Sequence, residues 1–579
     1  MASLKSPTVP ALLALLALSA CATAPAPAGK QLQVNINQGP TAGSRSTSAY
    51  GLYLAGQAAL DAGDSQGAAN YFDLAAGANP GADFIKERVF TSALLAGDLP
   101  RASASAPGPD EGSPASQALG ILAQGVELLA EGKGKEAYAK FSTSTPGLPT
   151  VPPTLVLKPW AAAAAGRWPE ALILPMPTDR LMKLIGGLDQ ALLFERAGRY
   201  PEAETAFKAL LADNAGRSIT APSYGVFLER RGRQKEAVAL YDDLVAANPG
   251  EPSYLAARAR AAAKGRPPPQ LTIREGAAQG LMAAAAAALS DRDSEMGLVY
   301  LRLILRLDPQ RDDAWLMAGD VLAATGDTQG SRDAYSRVGP KSASYAEART
   351  RLAWAYQDSD KVQAMTTARE TAAALPDSYL AQVTLADLLR ADGRYDDSAQ
   401  VLQPLVAKPA AAGDWRLHYT YGTALDQSGH WPEGEAELEL ALKIQPNQPE
   451  VLNYLGYSWV NRGERIKDGL AMIQKALDAQ PDEGAYVDSL GWAYYRLGDF
   501  PKAVELLERA AMLDAGDAEM NDHLGDAYWR AGRRDEARFQ WAAVLTFKPT
   551  DEVRARAEAK LASPLGPDAA VAVPAVAAK

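Results

Sequence analysis

PEVLNYLGYSWVNRGERIKDGLAMIQKALDAQ (449–480), PDEGAYVDSLGWAYYRLGDFPKAVELLERAAMLD (481–514) and AGDAEMNDHLGDAYWRAGRRDEARFQWAAVLTFKP (515–549) lay down one pattern three times. The pairs Leu455-Gly456, Leu490-Gly491 and Leu524-Gly525 are 35 and 34 residues apart, and a turn glycine follows each pair by seven residues: Gly463, Gly498 and Gly532. A small residue comes next, Gly469, Ala503 and Ala537, and Pro481 and Pro549 close the first and third units. Such a period holds two helices of about three turns and two tight turns. At about 1.5 Å per residue, neither helix is long enough to be stable alone in water. The mid-helix glycine and the small residue after the turn let the two backbones approach closely, while leucines and aromatics fill the space around them.

A helix-turn-helix repeat of this length and pattern resembles the tetratricopeptide repeat family. Leu490-Gly491, Tyr494, Ala503 and Ala510 stand at the family's motif positions. The second unit lacks the closing proline and the first carries one extra residue near Ile466. The resemblance implies an all-α tetratricopeptide-repeat solenoid, a right-handed superhelix of stacked hairpins.

The pattern extends outward from these three units. Gly56, Gly63, Ala68, Phe72 and Pro80 mark the first unit at the same offsets; Gly125, Gly132, Ala137 and Phe141 mark another. Gly198, Ala203 and Phe207, then Gly225, Gly232, Ala237, Tyr241 and Pro249, mark two more, with degenerate units at Gly97 and Gly166. Five prolines between Ser144 and Pro159 predict a long loop or a bend, and Leu174 to Pro177 a second break. Gly265 to Pro269 is expected to hinge two halves. Beyond it, Gly319, Gly326, Leu352, Gly393 and Gly429 keep step with the last units, about 13 in all. The expected division is an N-terminal array over 49–264, a C-terminal array over 270–550, a charged capping helix over 551–561 and a disordered tail over 562–579.

The formal net charge of -11, with no block of lysines or arginines, argues against nucleic acid as a partner. The single cysteine, Cys21, permits no intrachain disulfide. Lys5 precedes the apolar run Ala11 to Leu18, which ends in Leu18-Ser19-Ala20-Cys21. This predicts a signal peptide over 1–20 and a lipobox; the bland alternative is a short buried helix. The segment resembles those of bacterial lipoproteins, which implies that Cys21 carries a diacylglycerol and an acylated amino group. More than one chain gives stable anchoring. Ala22, where an aspartate would favour the inner membrane, points by the same resemblance to the outer membrane, periplasmic side. Residues 21–48 are rich in Ala, Pro, Gly, Ser and Thr and read as a flexible tether.

Catalytic patterns are hard to find. His418, His430 and His523 are the three histidines, and none stands in His-Glu-x-x-His spacing. No phosphate-cradling loop and no Gly-x-Ser-x-Gly elbow appear, so neither enzyme activity, cofactor nor metal is expected. The first helices of a repeat solenoid line its concave face, where such proteins bind. Positions separated by three or four residues share that face. In the three quoted units they are Asn453, Tyr457, Val460 and Asn461; Asp488, Trp492, Tyr495 and Arg496; and Asp522, Asp526, Trp529 and Arg530. Aromatics flanked by carboxamide, carboxylate and guanidinium groups suit an extended or helical polypeptide; the competing reading is that the rings pack between neighbouring units.

The layout of lipobox, tether and long array is similar to that of the lipoprotein adaptors of carboxyl-terminal processing proteases. That implies a periplasmic protease and cell-wall hydrolases as partners. The alternative is a scaffold for polysaccharide export or outer-membrane assembly machinery.

Overall fold

The structure, a computed structural model, describes residues 48–108, 110–143, 151–173, 180–212, 216–249 and 251–564. Cys21 and its lipobox, the tether up to residue 47, the break at 174–177 and the tail from 565 onward lie outside them. Helices follow one another throughout, and no strand occurs among the described residues.

Six hairpins come first. They pair α1 (Ala49–Asp61) with α2 (Ser65–Ala78), α3 (Asp83–Ala96) with α4 (Leu99–Ser105), and α5 (Pro114–Ala130) with α6 (Gly134–Thr143). Then α7 (Val151–Ala164) pairs with α8 (Trp168–Ala171), α9 (Arg180–Arg196) with α10 (Tyr200–Leu211), and α11 (Arg217–Arg230) with α12 (Gln234–Ala247). A single helix, α13 (Pro252–Ala262), ends this array. Eight hairpins follow, beginning with α14 (Ile273–Ser290) and α15 (Ser294–Leu307), α16 (Asp312–Ala324) and α17 (Thr328–Ser336), and α18 (Tyr345–Tyr356) and α19 (Lys361–Ala374). Next come α20 (Tyr379–Ala391) and α21 (Tyr395–Val406), α22 (Trp415–Gln427) and α23 (Trp431–Ile444), and α24 (Pro449–Arg462) and α25 (Ile466–Ala479). The last two are α26 (Gly484–Leu497) with α27 (Phe500–Leu513) and α28 (Ala518–Arg530) with α29 (Arg534–Val544); α30 (Asp551–Ala562) closes the stack.

The turn chemistry explains the hairpins. Gly498 ends α26 at φ 82, in the left-handed region, and Asp499 then caps α27 by accepting from the Lys502 N–H. Between α24 and α25 the backbones nearly touch: a Cβ on Gly456 would lie 2.7 Å from the Gly469 carbonyl oxygen. Of the proline-rich stretch expected to make a loop or bend, residues 144–150 lie outside the described residues. From Val151 the chain is helical, with Pro152 and Pro153 in the first turn, where the missing N–H would be unpaired anyway, and Pro159 inside α7.

The two halves have different cores. One continuous apolar cluster runs from Ala69 to Ala334. Past α17 the core divides into small clusters, such as Leu452, Val460, Ile473 and Leu490 across α24 to α26, and Leu507, Leu524 and Trp541 across α27 to α29. The cause is the segment 263–272, which turns the chain back over the inner side of the N-terminal array. There α14 packs on α7 and α9, and α15 on α5 and α3. Small residues permit this approach: a Cβ on Gly276 would meet the Trp160 ring at 2.1 Å, and one on Gly280 would meet the Asp189 carboxyl at 2.8 Å. Arg306 donates to both carboxylate oxygens of Glu127 at 2.7 Å, and Arg302 Nε to the Leu95 carbonyl at 3.0 Å. The expected hinge is itself held down, by Arg230 Nη1 on the Pro268 carbonyl at 3.1 Å and Arg196 Nη1 on the Leu271 carbonyl at 2.7 Å.

Asp189 is 3% exposed beneath Gly280, and its Oδ2 has no hydrogen-bond partner. Burial, partly offset by the nearby Trp160 indole, pushes its carboxyl well above the ordinary carboxylate range. A carboxyl that holds its proton longer when folded loses stability as pH rises from its unfolded value towards its folded one. Asp189→Asn is therefore expected to leave thermal stability little changed near about pH 4 and to raise it at about pH 8. Thermal unfolding followed by circular dichroism at both pH values checks this; an equal shift at both would assign the effect to packing.

Candidate functional site

In the C-terminal array the first helices of successive units touch one another, α18 on α20, α20 on α22, α24 on α26 and α26 on α28. First helices therefore line the narrow, inner side. Among the described residues, α30 is the one helix that packs across this array's last unit.

A polar ladder joins these first helices. Glu195 of α9 pairs with Arg230 of α11 at 2.6 Å, and Glu229 of α11 with Arg260 of α13 at 2.8 Å. Asp320 of α16 pairs with Arg351 of α18, and Asp426 of α22 with Arg462 of α24 at 2.5 Å. Asp488 of α26 then takes His523 of α28 at 3.0 Å, and Asp522 of α28 takes Lys560 of α30 at 2.8 Å. Each acid is answered by a cation of the following unit. Buried ion pairs of this kind contribute less to net stability than to the choice of one partner geometry, so the ladder sets the stacking register. Glu127 is the exception that fits: its cation, Arg306, comes from the inserted α15.

The residues placed on the binding face by helical spacing fall into two groups. On α24, α26 and α28, Trp492 lies between Tyr495, with ring centroids 4.7 Å apart and planes 10° from parallel, and His523, 4.1 Å and 18°. The Tyr457 ring is 6.5 Å from His523. Arg496 Nη1 donates to the Asn461 carbonyl at 2.6 Å. Tyr495 and Asp488 are buried, whereas Asn453, Tyr457, Trp492, Arg496, Trp529 and Arg530 are half-buried. Trp529 leans on Trp541, with centroids 5.6 Å apart. The second group is Asp522 and Asp526, which lie beneath α30: Lys560 Nζ sits 2.8 Å and 2.7 Å from them, and Arg556 Nε 3.3 Å from Asp522. The Trp541 indole N–H also donates to Asp526, at 3.0 Å.

Helical spacing alone missed His523, Glu519, Arg556 and Lys560. The signal for one of them is a recurrence at the repeat interval, His523 lying 35 residues after Asp488, whereas Lys560, 38 after Asp522, falls out of step. Burial alone would lower the His523 pKa; the charge and hydrogen bond of Asp488, with Glu519 and Asp522, outweigh it and raise it to about 9. Burial likewise opposes the Glu519 charge, but His523 and Arg556 hold its carboxyl below the usual range. At Arg496 burial outweighs the opposing influence of Tyr495 and Tyr457 and lowers its pKa.

Three buried polar atoms on α24 and α26 lack hydrogen-bond partners: Asn453 Oδ1, Trp492 Nε1 and Arg496 Nε. One acceptor and two donors on neighbouring helices match the carbonyls and N–H groups of a peptide backbone. Among the described residues no group of three or more His, Cys, Asp or Glu is placed to hold a metal, and no helix is long and apolar enough to cross a membrane.

The tetratricopeptide-repeat family model matches residues 188–252, 383–449, 459–518 and 489–552. The fold is a tetratricopeptide-repeat solenoid. The chain is 33% identical over 130 residues to cellulose synthase operon protein C of Komagataeibacter xylinus, and 32% identical over 130 residues to the protein of the same name from Komagataeibacter sucrofermentans. Each match takes in 22% of this chain, which spans about one tenth of the length of these relatives. Among solved structures, the APC/C hetero-tetramer Cut9–Hcn1 is similar at 15% identity and a TM-score of 0.38, covering 90% of this chain and 97% of that one. A thermophilic tetratricopeptide protein of Thermus thermophilus is similar at 22% identity and a TM-score of 0.29, covering 31% and 97%.

Proposed function

We propose that this chain is a lipid-anchored periplasmic scaffold that captures polypeptides on the inner face of its C-terminal array. The observation that carries the reading is the set of unpartnered polar atoms on Asn453, Trp492 and Arg496, on the neighbouring first helices α24 and α26. Tetratricopeptide arrays generally serve protein–protein interaction, and a concave face with unmet backbone-like hydrogen bonds is the place for it. Support for the anchor comes from Leu18-Ser19-Ala20-Cys21. The layout favours an adaptor that brings a carboxyl-terminal processing protease to cell-wall hydrolases at the outer membrane. The likeness to cellulose synthase operon protein C favours the second reading, a scaffold for polysaccharide export or outer-membrane assembly machinery.

A crosslinked pull-down from intact envelopes separates the readings, comparing wild type with Asn453→Ala/Arg496→Ala. These two residues are chosen because Trp492 also stacks between neighbours. A serine protease and cell-wall hydrolases, recovered with wild type and reduced about tenfold or more in the variant at unchanged helicity, are the expected result. Export or insertion machinery would select the second reading; equal recovery with both proteins would remove the inner face from the account. Cys21→Ser is expected to shift the protein from the membrane fraction to the soluble one, and a variant that stays on membranes would overturn the anchor.

A further inference from the structure

We propose that one end of the first hairpin, formed by the beginnings of α1 and α3 and the close of α2, is a membrane-contact surface that rests aromatic and aliphatic side chains in the lipid headgroup layer. The proposal takes the lipid anchor at Cys21 from the reading above. α1 and α3 run the same way and α2 runs against them, which brings those three helix ends together. That end exposes Tyr50 at 72% and Leu54 on α1, Leu74 on α2, and Phe84 at 60% on α3. Tyr53 links them: its ring lies 5.6 Å from Phe84, edge-on, and 5.4 Å from the buried Phe72. The chain enters at this same end, where the Ser48 hydroxyl accepts from the Gly51 N–H to start α1.

Two features select a lipid surface as the occupant. The first is where the chain outside the described residues ends. Residues 21–47 separate Cys21 from this end of α1, and they span at most about 95 Å. An anchored copy holds the surface within that distance of the bilayer at all times, so a contact too weak to recruit a free protein is populated. The second feature is the charge pattern. A terminal unit of a solenoid needs a polar outer face, because nothing stacks beyond it. At the other terminus α30 provides one, with six charged residues among its 12, whereas α1 has 13 residues and Asp61, at its far end, is its one charge. Neither α1 nor α2 contains a lysine or arginine. Asp73 and Asp83 stand beside Leu74 and Phe84, and Lys86 answers Asp83 at 3.1 Å. The surface therefore suits insertion of rings and aliphatic groups, not attraction to anionic headgroups. Tyrosine favours that depth because its ring is apolar while its hydroxyl stays wet. The contact gives the array one orientation on the membrane, where a single point of attachment would leave many.

The test uses the acylated full chain in vesicles of phosphatidylethanolamine, with and without phosphatidylglycerol. Acylation consumes the one native thiol, so Leu54→Cys takes a single fluorophore, and Glu464→Cys, exposed in the α24–α25 turn, is the distant control. Nitroxide-bearing lipids are expected to quench the label at 54 about threefold more than the control, alike in both lipid mixtures, and Tyr50→Ser/Phe84→Ser is expected to remove the excess at unchanged helicity. Flotation with the vesicles separates the two readings. A chain that does not float overturns the anchor and this contact with it; a chain that floats with both labels quenched alike keeps the anchor and overturns the contact. A label at 54 that is shielded from water but not quenched, with chemical crosslinks between copies, assigns the surface to self-association and also overturns it. Quenching that needs phosphatidylglycerol overturns apolar insertion in favour of charge. Where labelling disturbs α1, hydrogen exchange of the unsubstituted chain decides: protection of residues 49–54 on vesicles beyond that of soluble Cys21→Ser supports the contact, and equal exchange overturns it.

Discussion

Trp541→Ala is expected to destabilise the C-terminal end of the array by about 3–5 kcal/mol. The indole is 0% exposed on α29, lies so close to α28 that a Cβ on Gly525 would stand 2.5 Å from its nitrogen, and donates to Asp526. Asp526 in turn faces Lys560, so the residue that fills the last hairpin also positions the acid that holds α30. Truncation opens a cavity and leaves a buried carboxylate with one partner fewer. In a stack whose units touch only their neighbours, the loss stays near its origin. Hydrogen exchange is expected to rise in α28 to α30 and to be unchanged in α1 to α17; a uniform rise would show that the whole chain unfolds as one unit.

Asp488→Ala is expected to lower stability at neutral pH by up to about 3 kcal/mol, because it removes the carboxylate that pairs with the buried His523 ring and leaves that ring neutral, and also to reverse the pH dependence of stability. In the wild type His523 is raised to about 9. Its contribution is full below about pH 6.5, the unfolded value, and is lost as pH rises through about 9. Without Asp488, burial, the largest influence on the ring, is expected to prevail and bring the folded pKa below the unfolded one. The variant then loses stability as pH falls below about 6.5. Melting temperatures from about pH 5.5 to 9 are expected to slope in opposite directions for the two proteins. Parallel slopes would assign the charge to Glu519 and Asp522.

The repeat was legible because its determinants are local. Leu490-Gly491, Gly498 and Ala503 specify a hairpin within a single period, and the same offsets recur from Gly56 to Gly532. The α14–α15 insertion was not legible, because it depends on contacts such as Glu127 to Arg306, 179 residues apart and out of step with the period. Its helices read as one more unit, and only the continuous core reveals that they turn inward. Helical spacing put Asn453, Trp492 and Arg496 on one side together with Asp522 and Asp526. It carried no sign that α30 covers the last two, since a capping helix occupies the place of the next first helix. Pro152 and Pro153 misled for a related reason: proline breaks a helix interior but suits a first turn, and the choice depends on where α7 begins.

The contrast between one continuous core over residues 69–334 and small separate clusters beyond α17 has a mechanical consequence. Under tension between the two ends of the chain, the C-terminal hairpins yield one at a time. Each releases roughly 35 residues, or about 110 Å of contour. The N-terminal body from α3 onward, which shares one interior with the inserted hairpin, gives way in a single larger step. A load applied through the C-terminal array is thus absorbed as graded lengthening before the base is disturbed.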